Sequence, residues 1–94
     1  MRTIRYTKQF KRDYKREKKS GHHKVTLDKD FLSIVRLLVE DKPLLRSHCD
    51  HRLEGKWKYH RDCHVKPDLI LIYKKQGLKT LKLIRMGSHS QLGL

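Results

Sequence analysis

The sequence predicts an α+β domain in the order β-α-α-β-β-β-β. Two N-terminal helices pack on one face of a twisted, mainly antiparallel sheet. Three observations lead there. Leu27, Phe31, Ile34, Val35 and Leu38 recur at helical spacing. The run Leu69 to Lys75 (LILIYKK) is apolar on both faces, as a central strand requires. And 94 residues make one domain, with a small but feasible core.

The elements follow in order. Arg2 to Tyr6 alternate and favour β structure, which predicts a short first strand. Thr7 can cap the next helix, Lys8 to Lys19, whose Phe10 and Tyr14 share one face. Ser20-Gly21 ends it. The second helix runs from Leu27 to Glu40, and Leu32 and Val39 widen its apolar stripe. Lys42-Pro43 stops it. Arg52 to Glu54 predicts a short strand ended by Gly55. Trp57 to His64 predicts a longer one, and Lys66-Pro67 breaks the chain. Leu69 to Lys75 then turns at Gln76-Gly77 and pairs with Thr80 to Met86. Gly87-Ser88-His89 begins a short tail. Repeats, linkers and low-complexity segments are absent.

The charge narrows the function. Lys and Arg number 24 against 10 Asp and Glu, a net charge of +14. Such a field attracts polyanions, nucleic acids foremost. No apolar run approaches the ~20 residues of a membrane span. The start, MRTIRYTKQF, lacks the apolar region of a signal peptide. The expected compartment is therefore the cytosol, where Cys49 and Cys63 stay reduced.

Histidine is the chemical signal. Four of the seven histidines, at 48, 51, 60 and 64, crowd into residues 48–64 with Asp50 and Asp62. Asp68 lies just beyond, and His89 stands apart. Alternation along Trp57 to His64 puts Lys58, His60, Asp62 and His64 on one polar side. Trp57, Tyr59, Arg61 and Cys63 fall on the other. RNA supplies its own nucleophile, the 2′-hydroxyl. Its cleavage needs a base, an acid for the leaving 5′-oxygen, and cations for the charge on phosphorus. Imidazole titrates near ~6.5 and can fill either proton role. No metal or other cofactor is required.

Other readings compete. His48, Cys49, His51, His60, Cys63 and His64 offer metal donors, but their spacing matches no common zinc pattern. Cys63 reads more simply as a buried thiol. Seven cations in the twelve residues of the first helix make a phosphate-tracking surface or a dock for an acidic segment. Lys74, Lys75, Lys79, Lys82 and Arg85 carry the basic character onto the last hairpin. Arg85, four residues before His89, is the favoured cation for the scissile phosphate. Trp57 and Tyr59 could stack on bases, but core packing beside Cys63 is the preferred reading.

Three runs now stand together. Asp50-His51-Arg52-Leu53-Glu54-Gly55-Lys56-Trp57-Lys58 resembles the DHxLxGxWK segment of YafQ-type toxins. The run Tyr59 to Tyr73 (YHRDCHVKPDLILIY) resembles their RDxHxxPDxxLIY segment. Arg85-Met86-Gly87-Ser88-His89 resembles their closing RxGxH. The close match spans Asp50 to His89, with the motifs in the family's order. The resemblance implies a RelE-like fold over a single toxin domain, residues 1–94. It implies a toxin of a bacterial toxin–antitoxin pair that cleaves mRNA, typically on the ribosome, and is held inactive by a cognate antitoxin. By position, His51, His64, Asp68 and His89 match the family's catalytic residues. Asp62 matches a further active-site position. His64 and His89 are expected to move protons, with His51 assisting or contacting phosphate, and Asp68 orienting a histidine or acting as base. Asp62, Arg85, Lys56, Lys58 and Lys74 are assigned to RNA and phosphate contact. His48 and His60 become bystanders. The tail Ser90-Gln91-Leu92-Gly93-Leu94 departs from the family in lacking an aromatic after the last histidine.

Two other classes stay open. A ParE-type toxin shares the fold and acts on DNA gyrase, but that activity does not call for a histidine cluster. A plain RNA-binding domain would bind salt-sensitively and cut nothing.

Overall fold

The computed structural model describes residues 1–19 and 26–94. The chain order is β1 (Thr3–Tyr6), α1 (Lys8–Lys19), α2 (Leu27–Val39), β2 (His51–Arg52), β3 (Arg61–Lys66), β4 (Leu69–Gln76), β5 (Thr80–Gly87) and α3 (His89–Leu92). The expected helix stop at Ser20-Gly21 lies outside the described residues.

The five strands form one sheet in the order β1-β5-β4-β3-β2. β4 sits at its centre, and Leu69 to Tyr73 are buried without a break. β3, β4 and β5 run antiparallel, whereas β1 lies parallel to β5 on the edge. The β4–β5 connection turns on Gly77 at φ +61°, a left-handed position where a side chain would be strained.

Both helices cover one face of the sheet. Phe10 of α1 and Leu27, Phe31, Ile34, Val35 and Leu38 of α2 pack on Cys63, Leu71, Tyr73, Leu81, Leu83 and Met86. Thr7 caps α1 as expected. Its Oγ1 accepts the Phe10 N–H at 2.9 Å and donates to the Ile84 carbonyl at 2.7 Å. One cap therefore also ties α1 to β5.

Among the described residues the opposite face is free of helices apart from the four-residue α3. A small second core forms there from Ile70, Ile72 and Leu92, with Leu53, Trp57 and Ile84 against it. The chain returns to build it through α3. Ser88 and Gln91 form a reciprocal capping box, and Gly93 closes the helix at φ +71°.

The expected strand from Trp57 to His64 is half right. Gly55–Trp57 is a 3-10 turn, and Tyr59 takes φ +74°. The Lys58 and His60 amides bond back to Gly55 and Trp57. A pleated strand cannot form until Arg61, so Lys58 and His60 leave the alternating row. Trp57 does pack, but on the face opposite Cys63. Tyr59 is exposed. The second strand is His51–Arg52, shifted from the expected Arg52 to Glu54.

Candidate active site

Strand pairing gathers the polar residues on the helix-free face. His51 on β2 registers with Asp62 on β3, and Asp62 with Ile72 on β4. His64, two residues on, registers with Ile70. A bulge between His64 and Lys66 then leads into the Pro67-Asp68 turn. Gly87, the end of β5, lies opposite Ile70, so the chain delivers His89 to the same end of the sheet.

There the side chains meet. The His64 and His89 rings are 5.3 Å apart between centroids, edge to face. His89 Nδ1 lies 2.8 Å from Asp68 Oδ1, and the His89 backbone N–H donates to the same oxygen at 3.2 Å. Those hydrogen bonds hold the Asp68 carboxyl below the usual carboxylate range. An ionised Asp68 only accepts, so it fixes the proton on His89 Nδ1. The other ring nitrogen is left to exchange protons with a substrate.

Asp62 differs in kind. Its side chain is 3% exposed, and His51 Nδ1 approaches its Oδ1 to 2.8 Å. The ring is not aimed for a hydrogen bond, so that oxygen is close to His51 in charge but has no directed donor. Burial pushes the Asp62 carboxyl up, opposed by the charges of His51, His64 and His89. Asp62 thus couples to all three histidines. It is turned away from solvent, so it faces the rings rather than an anionic phosphate.

The remaining expected residues divide. Lys56 sits over the Trp57 ring at 5.6 Å, near Gly93, and Lys58 over Tyr59 at 5.3 Å. Lys74 follows Tyr73 by one residue and so projects from the helix-free face. Arg85 is committed elsewhere. Its guanidinium donates twice to Asp13 on α1, at 2.8 and 3.2 Å. A scissile phosphate reaching Arg85 would have to displace the Asp13 carboxylate. His48 Nδ1 lies 3.0 Å from the His64 carbonyl, and His60 Nδ1 3.1 Å from the Lys58 carbonyl. Asp50 accepts from Arg61 and Tyr73.

The two thiols of the metal reading sit in unlike surroundings. Cys49 is exposed, and Cys63 is buried in the helix-side core, which pushes its thiol up. Among the described residues no three His, Cys, Asp or Glu side chains converge to hold a metal ion.

Two features that support the site from outside it were not expected from the sequence. Asp13 is fully buried and receives Arg85, Arg16, Gln9 and the Met86 N–H. Its only outward sign was an acid pair, Asp13 and Glu17, one turn apart in a basic helix. The α3 cap was legible as Ser-x-x-Gln but read as a tail.

Known proteins share this fold. The family model described as the bacterial toxin of type II toxin–antitoxin systems, YafQ, matches residues 2–93. The mRNA interferase toxin YafQ of Escherichia coli K12 is 40% identical over 91 residues, covering 97% of this chain and 95% of that one. A crystal structure of the E. coli DinJ-YafQ complex superposes with TM-score 0.82 at 39% identity, covering 98% of each chain. A metal-bound toxin from Helicobacter pylori gives TM-score 0.86 at 41% identity, over 98% of this chain and 99% of that one.

Proposed function

This chain belongs to the YafQ family of bacterial type II toxin–antitoxin toxins, and from that premise we propose that it is an mRNA endoribonuclease working by general acid–base catalysis. It acts as one toxin domain over residues 1–94, in the cytoplasm, on mRNA at the ribosome. A cognate antitoxin silences it. The observation that carries the reading is the pairing of His64 with His89, one of them oriented by Asp68.

The chemistry follows. A histidine takes the 2′-hydroxyl proton as that oxygen attacks phosphorus. The bond to the 5′-oxygen breaks, and a protonated histidine supplies the proton that this oxygen needs. The products are a 2′,3′-cyclic phosphate and a 5′-hydroxyl end. His64 and His89 take these two roles. His51, backed by Asp62, contacts the phosphate or assists. Lys56, Lys58 and Lys74 bind the RNA backbone, and Arg85 joins them if phosphate competes with Asp13.

The test is mRNA cleavage with and without ribosomes. His64→Ala and His89→Ala should each slow cutting by about 10²–10⁴-fold. If both cut as fast as the parent, the proposed chemistry is wrong. Supercoiling by gyrase should be unaffected, which separates the reading from a ParE-type toxin.

A further inference from the structure

We propose that Arg5, Lys82 and Lys74 form a backbone track for single-stranded RNA across the helix-free face. The inference rests on the ribonuclease reading and extends its substrate site from the histidines to the opposite edge of the sheet.

Arg5 on β1 registers with Lys82 on β5, and Lys82 with Lys74 on β4. Ile4, Leu81, Leu83 and Tyr73, their chain neighbours, all face the helices. Alternation therefore turns the three cations to the other face. Adjacent strands lie about 4.8 Å apart, so the three charges stand in a row across three strands. Like charges directly opposite one another destabilise a sheet.

Among the described residues none of the three has a carboxylate partner. Their neighbours do: Lys75, the next residue on β4, pairs with Asp41 at 2.7 Å, and Arg2 pairs with the same carboxylate at 2.8 Å. The fold thus spends its few acids elsewhere and leaves this row open. A repeating anion of matching spacing would relieve the repulsion, and a nucleic-acid backbone is one.

The row also lies beside the site. One two-residue step along β4, about 6.7 Å, leads from Lys74 to Ile72, whose row contains Asp62 and His51. Ile72 itself is buried in the small core with Leu92 and Trp57, so a strand of RNA held by the track would pass around that core to reach the histidines from the β1 side.

The test compares two triple variants. One carries Arg5→Gln, Lys74→Gln and Lys82→Gln. The other removes equal charge from α1 through Lys11→Gln, Lys15→Gln and Lys19→Gln. Labelled single-stranded DNA, which has no 2′-hydroxyl to attack, reports binding by fluorescence anisotropy. Cleavage of mRNA is measured alongside. The track variant should bind about 10-fold or more weakly at physiological salt, and its log–log salt slope should flatten by about 2, as loss of three phosphate contacts on a single strand requires. Its cleavage loss should appear in KM. The α1 variant should bind within about twofold of the parent. Parent-like affinity and slope in the track variant overturn the proposal, as does an equal loss in both variants. So does a track variant that keeps the oligonucleotide and loses only a polyglutamate peptide, which would make the row a protein dock. If the parent protein cuts no RNA yet the track variant alone loses binding, the ribonuclease reading fails and the track stands.

Discussion

His89 Nδ1 lies 2.8 Å from Asp68 Oδ1, joining the first residue of α3 to the turn before the central strand. This contact spans 21 residues of sequence and sets which nitrogen of His89 faces outward. Asp68 is exposed, so its worth lies in orientation rather than in stability.

Asp68→Asn should therefore slow cleavage on the order of 10²-fold with little change in Tm. The amide can turn either its N–H₂ or its oxygen to His89, so the tautomer is no longer fixed. In the parent, Asp68 should titrate below the usual carboxylate range, because its hydrogen bonds to His89 favour the ionised form. Its interaction with His89 is then complete above the ordinary carboxylate range and is lost only as pH falls through the depressed value. NMR titration of the carboxyl carbon checks this, and in His89→Ala the midpoint should move back up. A midpoint unmoved by that substitution would refute the contact.

Asp62→Asn should have opposite effects on stability and rate. Burial raises the Asp62 carboxyl, so its ionised form costs stability, a cost that grows as pH rises through the unfolded and then the folded value. The neutral amide removes that cost. We expect a gain of about 1 kcal/mol near pH 8, or roughly 4–8 °C in Tm, shrinking as the solution is made acidic. Cleavage should fall, since three histidines lose a charge they share. Calorimetry that finds Asn destabilising at pH 8 contradicts this account.

Much of this was legible beforehand, for physical reasons. The helices announced themselves through a 3.6-residue apolar period, and β4 through an apolar run too dense to be half-exposed. Family motifs pointed to His51, His64, Asp68 and His89, which the fold brings to one end of one face. Residues 55–60 were not legible as a turn. Their pattern alternates like a strand, and only the positive φ of Gly55 and Tyr59 breaks it. The role of Arg85 was hidden because its partner, Asp13, lies 72 residues away on another element.

Asp13→Ala should be the most damaging single change outside the site. Arg85 would lose two hydrogen bonds, the Met86 N–H one, and Arg16 one. Removing one partner of a buried pair costs about 3–5 kcal/mol, a large share of the stability of so small a domain. Burial alone would raise the Asp13 carboxyl, but its hydrogen bonds outweigh that and hold it low. Its contribution should thus be present above the ordinary carboxylate range and be lost as pH falls through the depressed value. Urea unfolding of Asp13→Ala and Asp13→Asn measures both points.

Gly87→Ala should loosen α3. A Cβ there would lie 2.9 Å from Gln91 Oε1 and 3.1 Å from an Arg16 nitrogen. Gln91 Oε1 is the acceptor that caps the Ser88 N–H at 2.8 Å. Displacing it should cost about 1 kcal/mol and let His89 wander, so cleavage should drop more than stability. Unchanged activity would show that the cap does not position His89.

β1 and β5 lie side by side and parallel, Thr3 against Thr80 through Tyr6 against Leu83. Synthesis runs from the N-terminus, so the first strand made must wait for the last. A nascent chain that has emerged only as far as β4 already carries His51, His64 and Asp68 but has neither a closed sheet nor His89. Assembly of the proposed cutting groups is thereby postponed until β5 and α3 have been made. The ribosome making this protein holds an unarmed product until β5 and His89 have emerged.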